Sequence, residues 1–188
     1  GASGITTLSL SDDSYSGAVS LGLTFTLYGN NYTTTYISAN GFIEFGGNTG
    51  AGAYDNQCNL PSTTAPNNII AAMWDDLDPD SDPIIYYKYF ATCPVGSSGQ
   101  ACFIVEYDNI YHRSGGIAGT FEIVLYNGDD FLIQFQDSGS ELGSGSTTGV
   151  ENSGGTVGKT YECNTASSLS DSESVCFYYS NGTTTGCH

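Results

Sequence analysis

The residues best placed to do chemistry are aspartates between positions 73 and 83. The stretch MWDDLDPDSDP carries five of them, and four fall on alternate positions. In an extended chain alternate carboxylates share one face at about 6.7 Å, and each neighbouring pair repels by about 2.5 kcal/mol at an effective dielectric of 20. Alternating aspartates also present several oxygens to one hard cation. We therefore predict calcium as a cofactor, held by Asp76, Asp78, Asp80 and Asp82.

Other interpretations of this acidic segment stay open. It is not an EF-hand, because Ser81 stands where that loop requires glycine and Tyr87 where it requires glutamate. Asp75 and Asp76 could instead accept backbone N–H bonds and cap turns, which would leave a solvated acidic loop. The segment could also meet a partner's basic patch. The sequence does not choose among these.

Acidic and histidine residues elsewhere form no recognisable catalytic pattern. Glu106, Glu122 and Glu151 lie on strand-like runs without a pairing signal, and the first two are typical of outward residues of amphipathic strands. His112, at a strand end, is typical of a solvated turn residue, and His188 is the last residue. G-x-S-x-G, phosphate-loop and H-E-x-x-H motifs do not occur. We expect a protein that is not an enzyme.

Six cysteines without a C-x-x-C motif indicate disulfides made in an oxidising compartment. The loop CPVGSSGQAC has cysteines at both ends of a Gly/Ser turn, which favours a bond between Cys93 and Cys102. A zinc site fits neither the cysteine spacings nor the two histidines. The remaining predicted pairs are Cys163 with Cys176 and Cys58 with Cys187.

Net charge limits the partners. A formal charge of −17 repels phosphate, so nucleic acid and anionic membranes are excluded as partners. No apolar run approaches the length of a membrane span. Divalent cations and neutral glycans remain. The sequons NYT at Asn31 and NGT at Asn181 are candidate glycosylation sites. A glycan could also stack on tyrosines beside a calcium ion, and the candidates are Tyr86, Tyr87, Tyr89, Tyr178 and Tyr179.

The elements that must position these residues are strands. VSLGLTFTL alternates apolar and polar residues, as do CFIVEYDNIYH and GTFEIVLY, and no run has helical period. Asn40-Gly41 and Asn127-Gly128 are hairpin signals between such runs. We predict an all-β fold, a single disulfide-stabilised β-sandwich or barrel-like domain of roughly ten strands.

Several segments taken in order resemble the nidogen-like (NIDO-type) extracellular domain and its bacterial relatives. They are LGLTFTLYGNNYTTTYISANGFIEFGG, IIAAMWDDLDP, FIVEYDNIYH, GTFEIVLYNGDDFLIQFQ and TTGVENSGGTVGKTY, which together span about residues 18 to 161. The resemblance implies a non-catalytic β-sandwich in secreted or surface-anchored proteins, with adhesive or matrix roles. It brings no catalytic residues to this chain.

The first thirteen residues lie outside that resemblance. The sequence opens on GASGITT without a methionine, as expected of a processed product, and ITTLSLS alternates well enough to be a strand. If residues 1–13 pair with the chain's own sheet, they are an ordinary first strand; if they pair with a neighbour's, they build a homopolymeric filament. We predict an arm at 1–13, with Ile5, Leu8 and Leu10 in assembly, a sandwich at 14–188, and an extracellular or cell-surface location.

Overall fold

Thirteen strands form two sheets within residues 4–47, 53–79, 84–96 and 99–178, which are the residues that the computed structural model describes. The all-β sandwich prediction is confirmed, with more strands than the ten expected. No helix that is long and apolar enough to cross a membrane occurs in these ranges. The strands are β1 (Thr6–Leu8), β2 (Val19–Leu27), β3 (Asn30–Ile37), β4 (Phe42–Glu44), β5 (Ile69–Trp74), β6 (Leu77–Asp78), β7 (Ile85–Phe90), β8 (Cys102–His112), β9 (Ile117–Tyr126), β10 (Phe131–Asp137), β11 (Thr147–Glu151), β12 (Gly158–Cys163) and β13 (Glu173–Phe177).

The two sheets enclose one main core. The seven-stranded sheet has the order β1-β7-β8-β9-β10-β13, with β6 also paired to β8. The six-stranded sheet has the order β12-β11-β5-β4-β3-β2. Every strand pairing within them is antiparallel. The loops between strands therefore gather at the two ends of the sandwich, where function is usually carried.

Period-two patterning explains which residues enter the core. Along β2 every second side chain is buried, from Val19 to Leu27, while the Ser, Gly and Thr residues between them face outward. Strand β5 is buried at all six positions, because its alternate face is covered by a second apolar cluster. That cluster joins Phe42, Trp74 and Leu60, so the loop 53–68 lies over the outer face of the six-stranded sheet.

Both predicted Asn-Gly hairpins are present. Gly41 (φ +79°) turns the chain between β3 and β4, and Gly128 (φ +131°) lies between β9 and β10. Both angles lie in the left-handed region that glycine tolerates best. The turn at Gly41 is also packed against β5, since its carbonyl accepts from the amides of Ala72 and Met73.

A disulfide closes the loop between β7 and β8. Cys93 bonds Cys102, as the sequence predicts. The two cysteines belong to an apolar cluster on the outer face of the seven-stranded sheet, together with Ile104, Val124 and Tyr126. This loop therefore covers part of the outer face of the seven-stranded sheet.

The other predicted cysteine pairs are wrong. Cys58 bonds Cys163, so neither of them is available for the expected partners. The physical reason is that the loop 53–68 crosses the sheet beside β12, a contact between distant parts of the chain that spacing alone does not reveal. Cys176 is disulfide-bonded as well, and Cys187 lies outside the described residues.

The N-terminal arm is docked on its own molecule. Strand β1 pairs antiparallel with β7 of the same chain. Leu8 and Leu10 are partly buried against the main core, whereas Ile5 is 43% exposed. The single chain therefore shows the arm as an edge strand of its own sheet and not as a strand lodged on another copy. The register pairs are Thr6 with Tyr87, Thr7 with Tyr86 and Leu8 with Ile85.

Candidate functional site

Charged side chains from four parts of the chain meet where β5 turns into β6; we call this group the acidic end. Asp75 and Asp76 lie in that turn, and the Arg113 amide donates to the Asp76 carbonyl (2.8 Å). His112 is the last residue of β8, beside Leu77 of β6. Asp12 and Asp13 follow β1, and Glu141 lies between β10 and β11. These residues are far apart along the chain, and the order of the strands in the sheets brings them together.

His112 bridges two carboxylates at the acidic end. Its Nδ1 lies 3.1 Å from Asp75 Oδ2, and its Nε2 lies 3.2 Å from Glu141 Oε2. Glu141 is 5% exposed, and its other oxygen accepts from the Gly145 amide. The hydrogen bonds to Asp75 and Glu141 raise the pKa of His112 to about 9, although burial opposes them. His112 is thus an imidazolium at neutral pH, and the prediction of a solvated turn residue is wrong.

The same contacts act on Glu141. Burial alone would raise its pKa, but hydrogen bonds from His112 and from the Gly145 amide outweigh burial and hold the pKa below its ordinary value. Asp75, His112 and Glu141 could also present one metal-ligand atom each, all within 4.8 Å. Because the carboxylates occupy both ring nitrogens, the imidazolium itself neutralises them in this structure.

Arg113 joins the arm to the acidic end. Its Nε lies 2.9 Å from Asp12 Oδ2, and its Nη1 lies 2.8 Å from Asp78 Oδ2. The guanidinium is 54% exposed, so each ion pair is worth no more than about 1 kcal/mol in water. Asp13 Oδ1 adds a hydrogen bond from Asn40 Nδ2 at 2.9 Å. These contacts fix the chain that follows β1 against the sandwich.

Asp12, Asp13 and Asp76 form a second group at the acidic end. One carboxylate oxygen from each lies within 4.8 Å of the others. Burial, and then the charges of Asp13, Asp12 and Asp75, raise the pKa of Asp76, while Arg113 opposes them. Three carboxylates at this separation suit a hard divalent cation.

The structure describes two of the four predicted calcium ligands, and these two make different contacts. Asp76 belongs to the three-aspartate group, Asp78 pairs with Arg113, and Asp80 and Asp82 lie outside the described residues. Asp75 Oδ1 accepts from the Asp76 amide at 2.8 Å, which is the turn contact that the alternative interpretation expects. Sequence reasoning missed Asp12 and Asp13, although two adjacent aspartates at the end of the arm were a visible signal.

A pair of glutamates faces outward on the seven-stranded sheet. Glu106 and Glu122 are direct cross-strand partners, and their strand neighbours Val105 and Phe121 belong to the main core, so the prediction that both glutamates face outward is confirmed. They line a polar cavity of about 350 Å³ with Gln134 and Glu173. Burial, and then the neighbouring Glu106, raise the pKa of Glu122 to about 7. Two like charges directly opposed in a sheet are destabilising, which favours the protonated form of Glu122.

The four described tyrosines among those considered for glycan stacking do not share one surface. Tyr87 packs against the core, Tyr89 lies over Gly22, and Tyr178 lies at the end of β13. Tyr86 is the cross-strand partner of Glu106 and shares the outer face with it. Tyr179 is outside the described residues. Of the sequons, Asn31 is exposed on β3, and Asn181 is outside the described residues.

Comparison with family models identifies the chain. A model described as NIDO related matches residues 2–185. This chain belongs to the NIDO-related family. The match extends the resemblance through the arm and into the tail, so the arm is part of the NIDO-related unit. Comparisons of this NIDO-related chain with curated proteins and with solved structures found no match.

Proposed function

We propose that this NIDO-related chain is a non-catalytic extracellular protein with a structural or adhesive role, and that its subunits join into a filament through the N-terminal arm. Family membership and the disulfides support the extracellular part of the proposal. One observation carries the assembly part, which is the placement of the arm. A three-residue strand at the edge of a sheet contributes a small share of the fold.

The arm contributes few side chains to the interior of the domain. Thr6 and Thr7 are exposed, and only Leu8 of β1 is partly buried. The arm ends in polar contacts, with Asp12 on Arg113 and Asp13 on Asn40. Of the described residues of the arm, Leu8 and Leu10 pack against the main core.

Exchange of the arm between copies would preserve the β1–β7 pairing but not the turn at residues 11–14, in which the Ser14 amide donates to the Ser11 carbonyl at 3.1 Å. The β7 edge of one subunit would receive β1 of the next in the same antiparallel register, and the acidic end would receive Asp12 and Asp13. The strand pairing is then the same in the closed and the exchanged forms, and the exchanged form loses the hydrogen bond of that turn. Because the donor and acceptor surfaces differ, each subunit still offers one arm and one β7 edge, and the chain of contacts stays open.

Deleting residues 1–12 tests the role of the arm. We expect the intact protein to form polymers and the truncated protein to stay monomeric, measured by the mass of the native particles. Far-UV circular dichroism controls for folding of the truncated chain. An intact protein that is monomeric at every concentration, or polymers that survive the deletion, would rule out assembly through the arm.

We also propose calcium at Asp12, Asp13 and Asp76. The donor set is all oxygen, and two of its members belong to the arm while the third belongs to the turn after β5. Burial is the largest cause of the raised pKa of Asp76, and a bound cation would cancel the repulsion from neighbouring aspartates that adds to it. It would also hold the arm at the acidic end, in the closed chain or in an exchanged one.

Thermal unfolding in calcium and in chelator tests this site. Ligand at about 100 times its Kd adds about 2.7 kcal/mol to the free energy of unfolding, which raises the Tm by about 5 °C or more for a domain of this size. We expect Asp76→Asn to remove much of that rise and Asp129→Asn, a change in an exposed turn, to leave it intact. A Tm that is indifferent to chelator would support the turn-capping interpretation instead.

A further inference from the structure

A buried glutamate at the end of β11 lacks part of its expected partners. Glu151 is fully buried, at 0% exposure. Its Oε2 accepts from the Ser62 amide at 2.7 Å. Its Oε1 is buried and has no hydrogen-bond partner within the described part of the chain. A buried carboxylate oxygen without a donor is costly, so it points to a group that supplies positive charge or a proton.

A second buried oxygen, in the loop 53–68, also lacks a hydrogen-bond partner. Asn67 Oδ1 is buried and has no hydrogen-bond partner among the described residues. A methyl group on Gly155 would lie 1.9 Å from the Ser62 carbonyl oxygen and 2.2 Å from Asn67 Oδ1, so these two acceptors face the same point. Ser62 lies next to both residues that have an unpaired oxygen. Its amide donates to Glu151, and its carbonyl lies against Gly155 beside Asn67.

We propose that Glu151 Oε1, Asn67 Oδ1 and the Ser62 carbonyl bind a hard divalent cation of the calcium class beneath the loop 53–68. A carboxylate, a side-chain amide oxygen and a backbone carbonyl are the ligand types that calcium takes from proteins. The three oxygens come from two segments, the loop 53–68 and the end of β11. A cation there would join the loop to the six-stranded sheet.

The contrast with Glu162 supports a cation at Glu151. Glu162 is also buried, at 7% exposure, but hydroxyls of Ser168, Thr148 and Ser146 lie 3.0 to 3.4 Å from its oxygens. Burial raises the pKa of both glutamates to about 7, with hydrogen bonds opposing it. Glu162 has enough donors to be satisfied by the protein, whereas Glu151 has one, from Ser62.

Calorimetric titration with CaCl2 at pH 8 tests the proposal on the intact chain. The variants are Glu151→Gln and, as a matched control, Glu162→Gln, which makes the same chemical change at a buried glutamate whose oxygens have hydroxyl partners. Gln at 151 can still accept from the Ser62 amide. We expect Glu151→Gln to bind one Ca²⁺ fewer than the wild type and Glu162→Gln to bind the wild-type number.

Two further variants keep the test decisive. If Glu151→Gln fails to fold by circular dichroism, Asn67→Ala replaces it and should weaken the same binding event by about tenfold or more. Asp76→Asn should remove the binding of the Ca²⁺ proposed at the acidic end and leave the Ca²⁺ at Glu151 bound, so the two binding events can be told apart. Equal Ca²⁺ stoichiometry and affinity in the wild type and in the folded variant at 151 or 67, or no Ca²⁺ binding by the wild type, would overturn the proposal.

Discussion

At the scale of single residues, two positively charged side chains hold the carboxylates of the acidic end together. The imidazolium of His112 lies between Asp75 and Glu141, and Arg113 lies between Asp12 and Asp78. His112 is the more buried of the two, with 13% of its side chain exposed against 54% for Arg113. Since buried ion pairs are screened less by water, His112 contributes more to stability than Arg113 does.

Replacing His112 with Gln should destabilise the protein in a pH-dependent manner. The His112 pKa rises from 6.5 to about 9 on folding, so its charge contributes fully below pH 6.5 and is lost as pH rises through 9. We expect a loss of about 2 kcal/mol in the free energy of unfolding at pH 6, after allowing for screening. The loss should be much smaller at pH 10. Urea unfolding of both proteins at the two pH values measures it, and an equal loss at both would contradict the imidazolium assignment.

The sequence predicted part of this site. Asp76 belongs to the candidate cation group. It was named from the sequence because the alternate aspartates next to a buried strand are directly visible there. His112 and Glu141 were not, because their contact depends on where β8 ends relative to the loop after β10. Histidine beside a turn has no local pattern that separates a solvated ring from one held between two carboxylates.

At the scale of elements, the two Asn-Gly turns have different surroundings. A methyl group on Gly41 would lie 2.0 Å from the Met73 carbonyl oxygen, because this turn packs against β5. A methyl group on Gly128 would have no described atom within 4 Å. The turn at Gly41 therefore forms part of the interior of the six-stranded sheet, while Gly128 bonds to β2 through its backbone and leaves open the space that a side chain would take.

These surroundings predict unequal effects of alanine. Gly128→Ala should cost about 1–2 kcal/mol, from backbone strain alone. Gly41→Ala adds a clash with backbone that cannot move aside and should cost more than about 3 kcal/mol. Chemical denaturation of both variants measures the difference. Equal costs would mean that the β3–β4 turn does not pack on β5 as described.

Most elements were readable from the sequence because their residues alternate with period two. The run CFIVEYDNIYH coincides with β8, and VSLGLTFTL coincides with β2. The short β6 was not separated from the acidic run, since two residues carry no period. The Cys58–Cys163 bond was also missed, because it depends on the loop 53–68 crossing the sheet.

At the scale of the whole molecule, the arm decides between a closed domain and an assembly. The single chain closes on itself through β1 and β7. The same register can form between copies, because nothing in the pairing of Thr6–Leu8 requires the two strands to share a chain. In the proposed assembly, concentration would select between the closed and exchanged forms, and a cation at the acidic end would stabilise whichever arm is bound there.

Disulfide trapping between β1 and β7 tests this account most directly. Thr7 and Tyr86 are opposed in the register, and opposed residues in antiparallel strands bring their Cβ atoms close enough for a cysteine pair. The protein with Thr7→Cys and Tyr86→Cys would be oxidised at high concentration and separated on a denaturing gel without reductant, beside a control with Thr7→Cys and Ser174→Cys, which places the second cysteine on the opposite edge strand. If arms are exchanged, the first protein gives a ladder of covalent oligomers and the control does not. A cross-linked monomer alone would contradict assembly through the arm and leave a self-contained domain.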